Sequence, residues 1–275
     1  MSSATLTAIA PTVHLTMEQI GFYHREGYLV VDQISTPEEL KRLREIYDDL
    51  FSRKVGRDEG NQFDLAGADE DDKRANLPQI LGPSRYAPEM RETLAWANAG
   101  RIMAQLFGKD ADHRGDHAIL KPAHHGASTP WHQDEAYWSP EHEHTSLSIW
   151  MPLQDVDAKM GCMHFVPQSH KLEILPHRPI GNNSKVHGLE LVEGAYDVSA
   201  AVGCPLKAGG VTIHKQRTLH YAPPNNSDQP RRAWIMMGGL NAKKLATPRK
   251  FSWQQQQQTP RSERAKAAQE KTKEA

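Results

Sequence analysis

The chain has 275 residues, enough for one large domain with a core of its own. With 33 Lys and Arg against 34 Asp and Glu the formal charge is −1, so no electrostatic footprint for nucleic acid or an anionic membrane follows. Apolar runs are too short to span a bilayer, and the mildly apolar Ala4 to Val13 lacks the basic start and long apolar centre of a signal peptide.

In chain order, Thr16 followed by Gln19 resembles a capping box, opening a helix that runs to Gly27, a C′ residue. Tyr28 to Asp32 reads as a short strand. Thr36-Pro37-Glu38-Glu39 is a stronger helix start, with Leu40, Leu43, Ile46, Tyr47 and Leu50 forming one apolar face. Residues 55–75 are polar, with the acidic run Asp69 to Asp72, and read as a solvated loop. A further helix is expected from about Glu89 to Phe107, stopping before Gly108. From there the texture changes to short apolar runs bounded by Pro, Gly, Asn or Asp, at 117–121, 146–153, 162–167, 210–214, 217–222 and 231–239. The plan is one domain over 1–253, with a helical part at 14–108 and an antiparallel β core at 113–242. The tail, 254–275, opens on five glutamines and continues Lys/Glu/Ala-rich, which predicts a solvated helix or disordered chain.

Two cysteines, Cys162 and Cys204, make neither a C-x-x-C pair nor a disulfide framework, which fits a reducing, cytoplasmic setting. Fifteen histidines are more unusual, and position has to decide their meaning. In Thr129-Pro130-Trp131-His132-Gln133-Asp134, an extended strand points residues two apart to the same side. His132 and Asp134 then present an imidazole and a carboxylate to one point, with Gln133 turned away. H-x-D alone is common by chance and needs a third ligand. His220, in Thr218-Leu219-His220-Tyr221, is the best candidate, between the strand-like 209–213 and the turn-rich 223–230. Arg231 then opens another strand, and the loop would bring it near the end of the first, within reach of an anion beside the metal. Two histidines and one carboxylate on one face of an octahedron leave positions open for a bidentate 2-oxo acid and dioxygen. An arginine fork suits the distal carboxylate of such a co-substrate. The same donors also suit zinc, so a zinc-dependent, non-redox cupin-like enzyme is the competing reading.

From about Leu120 to Gly239 the chain resembles the phytanoyl-CoA dioxygenase family of iron(II)/2-oxoglutarate oxygenases. The matching pieces are Lys121-Pro122, Trp131 to Asp134, Tyr137, Trp150, Met160 to His170, His220 and Asn225 through Ala233. The resemblance implies a double-stranded β-helix, a cupin-like jelly roll with flanking helices, mainly β. It implies iron(II) at His132, Asp134 and His220, with these as the catalytic centre, 2-oxoglutarate held by Arg231 beside Trp150, and dioxygen as the other co-substrate. The activity implied is oxidation of a C–H bond, hydroxylation in the simplest case, with release of succinate and CO2. Desaturation, cyclisation and epimerisation are alternatives on the same site. Related halogenases carry a small residue in place of the carboxylate, so Asp134 favours the other oxidations. One departure stands out: the family's Pro-Gly-Ser-His reads Pro167-Gln168-Ser169-His170, which questions local geometry. Arg232 is a weaker co-substrate candidate, since alternation turns it to the other face.

Tyr137 and Trp138 directly follow the motif and are the expected substrate contacts. His124, His125, His142 and His144 are expected in loops and mostly exposed, His170 as a hydrogen-bonded structural residue, and Cys162 in the core. His214 could face inward but lacks the context of His220. Asn225-Asn226 reads as turn chemistry. Loops 55–75, 135–145 and 176–200 are expected to choose the substrate, a small natural product or lipid-like molecule. No nucleic-acid or membrane partner is expected, and a homodimer is left open.

Overall fold

The computed structural model describes residues 9–70, 73–124 and 127–274. His125, the acidic Asp71 and Asp72, and residues 4–8 of the N-terminal apolar stretch lie outside the described residues.

Helix α1 (Met17–Glu26) is capped by Thr16, whose hydroxyl accepts from Gln19 N while the Gln19 side chain accepts from Thr16 N, the reciprocal box expected. Strand β1 (Tyr28–Val31) follows Gly27, which is left-handed at φ 85°. Helix α2 (Pro37–Ser52) starts on Thr36 and buries Leu40, Leu43, Tyr47 and Leu50, the face read from spacing. Inside the segment expected as loop lies β2 (Gln62–Asp64), followed by β3 (Pro78–Leu81) and the single turn α3 (Pro83–Tyr86). The expected helix 89–107 is two pieces: a 3₁₀ turn at Pro88–Glu92, then α4 (Leu94–Phe107). Thr93 breaks them because it is extended and its hydroxyl caps Trp96 N.

The remaining strands are β4 (Asp112–Lys121), β5 (Thr129–His132), β6 (His142–Glu143), β7 (Ser146–Pro152), β8 (Met163–Phe165), β9 (His177–Pro179), β10 (Leu189–Leu191), β11 (Val202–Cys204), β12 (Val211–Lys215), β13 (His220–Ala222), β14 (Arg231–Gly239) and β15 (Lys243–Lys244). They form a larger sheet in the order β1-β12-β7-β14-β4-β3-β2 and a smaller one in the order β11-β8-β13-β5. All described pairings are antiparallel, and the two sheets make the double-stranded β-helix expected.

Alternation sorts the larger sheet into two faces. Leu147, Ile149, Met151, Val211, Ile213, Trp234 and Met236 join the apolar faces of α1, α2 and α4 in the main core. The opposite face, carrying Trp150, Ala233 and Ile235, packs on Met163, Phe165, Cys204 and Ala222 of the smaller sheet. Parity also disposes of Arg232, which turns outward to pair with Asp48 of α2 at 2.7 Å.

The loop between β13 and β14 does not close a hairpin. It crosses from the smaller sheet to the larger, β13 pairing with β5 and β8 while β14 pairs with β4 and β7. Asn225 is therefore more than a turn residue. Fully buried, it donates to the carbonyls of Lys121 and Gln229 and accepts from Ser227, pinning the crossover before Arg231. At the departure from the family pattern, Gln168 takes the left-handed conformation itself, φ 64°, ψ 0°. The turn that glycine would make is thus kept, at a conformational cost of about 1–2 kcal/mol to a residue with a side chain.

The tail is largely helical, and the segment leading into it packs on the body. Helices α5 (Ser252–Gln256) and α6 (Pro260–Glu274) follow Phe251, and Phe251 and Trp253 bury themselves against Ala136 and Leu189. Arg261 stacks over the Phe63 ring at 4.9 Å and Arg264 pairs with Asp69. Among the described residues no helix is long and apolar enough to cross a membrane.

Candidate active site

His132 and His220 face each other across the β5–β13 pair, their ring centroids 4.0 Å apart. Each Nδ1 hydrogen-bonds a carbonyl two residues earlier, His132 to Pro130 O at 2.7 Å and His220 to Thr218 O at 2.9 Å. Those bonds assign the proton to Nδ1 and turn both Nε2 lone pairs inward, the tautomer a metal needs. Asp134 does not sit on the strand as expected. β5 ends at His132, and Asp134 opens a 3₁₀ turn, Asp134–Tyr137. Gln133 between them is still extended, so the carboxylate returns to the side of His132. Asp134 Oδ1 lies 3.7 Å from His132 Nε2 and 3.5 Å from His220 Nε2, and the three donor atoms fall within 4.8 Å of one another. That span suits a single ion, and two imidazoles with one carboxylate suit iron(II).

Gln133 is the anchor of this turn. Wholly buried, it donates to the carbonyls of Glu173 and Arg217 and accepts from Leu175 N. Glu135 fixes the other side through ion pairs with Arg217 at 2.6 Å and Arg249 at 3.1 Å.

Sequence reasoning undervalued His214. It faces Ser148 across the β12–β7 ladder, and both reach Asp134 Oδ2: Ser148 Oγ donates at 2.7 Å and His214 Nε2 lies at 3.2 Å. The inner carboxylate oxygen is left to the cluster while the outer one is held. Burial works to raise the Asp134 pKa, but His220, His214 and His132 around it overcome this and hold the carboxyl well below its usual range. Burial in turn pushes the His132 and His220 pKa values down, keeping both imidazoles neutral and able to ligate. Ser148→Ala should lower iron affinity by about tenfold to a hundredfold, measured by competition with a chelator. An unchanged affinity would mean Asp134 keeps its pose without that hydroxyl.

Arg231, the first residue of β14, is fully buried, its guanidinium 5.2 Å from the Trp150 ring centroid. One nitrogen donates to Gly161 O at 3.1 Å, and Nε has no hydrogen-bond partner among the described residues. Gly161 is obligatory at this contact: φ is 83° and a Cβ would meet Pro223 O at 2.5 Å. Across the ladder stands Lys121, also fully buried, its Nζ donating to the carbonyls of Ala222 and Pro223, and burial with the Arg231 charge opposite pushes its pKa well down. Arg231 has no acidic partner among the described residues, and burial lowers its pKa to about 10, still a cation at neutral pH. A buried cation without a counterion is unfavourable unless an anion joins it. The arrangement fits the distal carboxylate of a dicarboxylic co-substrate.

A cavity of about 250 Å³ connects these groups, lined by His132, Asp134, His220, Trp150 and Arg231, and on another side by Tyr137 and Trp138. All the site residues expected from sequence thus border one space. His214, which could face inward, borders it too, as do Gln79, His117 and His187, which were not expected there. His117 could have been read from parity with Ile119 on β4, whereas nothing in the sequence marks His187. Of the histidines expected in loops, His124 is exposed and paired with Asp228, and His142 and His144 stay outside the cavity. His170 is structural, with Nε2 3.2 Å from His24 O.

A family model described as Phytanoyl-CoA dioxygenase (PhyH) matches residues 23–233. A probable alpha-ketoglutarate-dependent hypophosphite dioxygenase of Stutzerimonas stutzeri is 23% identical over 223 residues, 80% of this chain and 77% of its own length. Among solved structures, EvdO2 from Micromonospora carbonacea var. aurantiaca is 31% identical with a TM-score of 0.75, covering 90% of this chain and 99% of its own. The same protein complexed with 2-oxoglutarate superposes with a TM-score of 0.74. The epimerase SnoN, in complex with Fe3+, alpha ketoglutarate and nogalamycin RO, shares the fold at 21% identity and a TM-score of 0.66, covering 88% of this chain and 89% of its own.

Proposed function

Because the chain belongs to the phytanoyl-CoA dioxygenase family, we propose that it hydroxylates a small organic substrate, with His132, Asp134 and His220 holding iron(II) and Arg231 anchoring 2-oxoglutarate. The protein is a non-haem, iron(II)- and 2-oxoglutarate-dependent dioxygenase, with dioxygen as its other co-substrate. The observation that carries the site assignment is the buried, acid-free Arg231 guanidinium opening on the same cavity as the three clustered donors.

When bound, iron and the co-substrates supply the oxidising power, with 2-oxoglutarate converted to succinate and CO2. The chain supplies position. His132 and His220 are locked in the ligating tautomer by Pro130 O and Thr218 O, and Asp134 is steadied from behind by Ser148 and His214. Arg231, braced by Gly161 O and the Trp150 face, offers its remaining N–H groups to a carboxylate at a fixed distance from the cluster. Tyr137 and Trp138 stand where a substrate must pass, and Leu65, Leu81 and Met237 help to keep water out. A zinc hydrolase would leave Arg231 as a buried charge without a task, which favours the oxygenase reading. Hydroxylation is the simplest outcome on such a site, ahead of desaturation, cyclisation or epimerisation.

The test is reconstitution under oxygen. Succinate should form only with iron(II) and 2-oxoglutarate together, not with zinc, and one atom from labelled dioxygen should enter the oxidised substrate. Succinate formation no greater than in a chelator-treated control would overturn the metal assignment. A product free of the label would overturn hydroxylation.

A further inference from the structure

Gln79, His117 and His187 form a polar wall of the cavity apart from the residues assigned above to the metal and the co-substrate. They arrive from three directions: Gln79 from β3, His117 from the adjacent β4, and His187 from the segment before β10. Gln79 is buried, and the hydrogen bond its amide makes among the described residues is a long one, Nε2 to His117 Nδ1 at 3.4 Å. With Nδ1 accepting, His117 keeps its proton on Nε2 and remains a donor. The His187 imidazole makes ring contacts, edge-on to Phe63 at 4.9 Å and tilted to Tyr137 at 5.9 Å. Tyr137 in turn lies edge-on to His132 at 5.9 Å, so this wall and the metal cluster are separated by a single ring.

The chemistry of the wall selects among substrates. Burial lowers the His117 pKa and lowers that of His187 to about 3, so both imidazoles are neutral, each with one donor and one acceptor. Among the described residues the one guanidinium lining the cavity is Arg231 and the one carboxylate is Asp134, both already engaged in the proposed site. A charged substrate head would therefore find no free counterion among the lining residues, Arg261 lying outside them against Phe63. A hydrocarbon would leave the amide and imidazoles dry and unpaired, which is costly. A hydroxyl group both donates and accepts, as these three side chains do, and Tyr137 and Trp138 offer flat faces to a saturated ring. The cavity must also hold 2-oxoglutarate in its roughly 250 Å³, so the recognised unit is about one ring in size.

We propose that Gln79, His117 and His187 form a recognition subsite for an uncharged, polyhydroxylated ring of sugar or cyclitol type, presented to the metal cluster past Tyr137. The inference rests on the proposed function for its orientation and narrows the expected substrate away from lipid-like molecules.

Calorimetry tests it, on protein loaded anaerobically with iron(II) and 2-oxoglutarate, using methyl hexopyranosides and myo-inositol against hexanol and hexanoate. At least one polyol should bind more tightly than either six-carbon chain. Gln79→Leu and His187→Phe, each with a wild-type circular dichroism spectrum, should weaken that binding by about tenfold. Tighter binding of hexanol or hexanoate, no polyol binding, or wild-type polyol affinity in both variants would overturn the proposal. The same titrations on metal-free protein separate the two readings. Polyol binding without any affinity for iron(II) and 2-oxoglutarate would remove the metal assignment and leave the subsite. Iron(II) and 2-oxoglutarate binding without polyol affinity would do the reverse.

Discussion

Replacing Asp134 by alanine should abolish 2-oxoglutarate turnover, with succinate release falling on the order of 10³-fold or more, equivalent to about 4 kcal/mol of lost stabilisation. The carboxylate is the one acidic donor of the cluster, and it also satisfies Ser148 and His214. Its loss removes a ligand and leaves a buried hydroxyl and imidazole without their acceptor, so iron content should fall with activity. Metal analysis of the purified variant beside a succinate assay reads both. Full turnover with full iron content would show that the ion is held elsewhere.

Arg231→Leu should raise the 2-oxoglutarate concentration needed for half-maximal turnover by about 10²-fold or more. Removing one partner of a buried charged pair costs roughly 2–5 kcal/mol. The variant should lose its preference for 2-oxoglutarate over 2-oxo acids that lack the far carboxylate, because those never used the guanidinium. It should also unfold at a higher temperature than the wild type when no co-substrate is present, since an unpaired buried cation disappears. A wild-type dependence on 2-oxoglutarate would move the anchoring role, but not to Arg232, which faces away and pairs with Asp48.

The proposed metal cluster was legible because its parts obey local rules. His132 and Asp134 are two apart on an extended stretch, and His220 lies in a spaced, multi-part pattern that also contains Trp150 and Arg231. Parity on β14 separated Arg231 from Arg232 before any coordinates. Less legible were features created by registry between distant segments. His214 matters because β12 lies beside β7 in the register that sets it opposite Ser148. His117 and His187 share a wall only after β4 and the segment before β10 converge, 70 residues apart along the chain. The short strands β2, β3, β9, β10 and β11, of three or four residues each, are below the length at which alternation can be read.

The contacts of the tail were hidden for a different reason. A run of glutamines looks like low-complexity chain, yet its amides act as clasps. Gln254 donates to the carbonyls of Ala136 and Trp138, on the turn that bears Asp134, and Gln257 to those of Val186 and His187. Both walls flanking the proposed substrate position are thus tied to one short homopolymer. Dropping or gaining one glutamine would still leave an amide at each of these carbonyls, and the displacement would pass downstream to α6, where Arg264 pairs with Asp69.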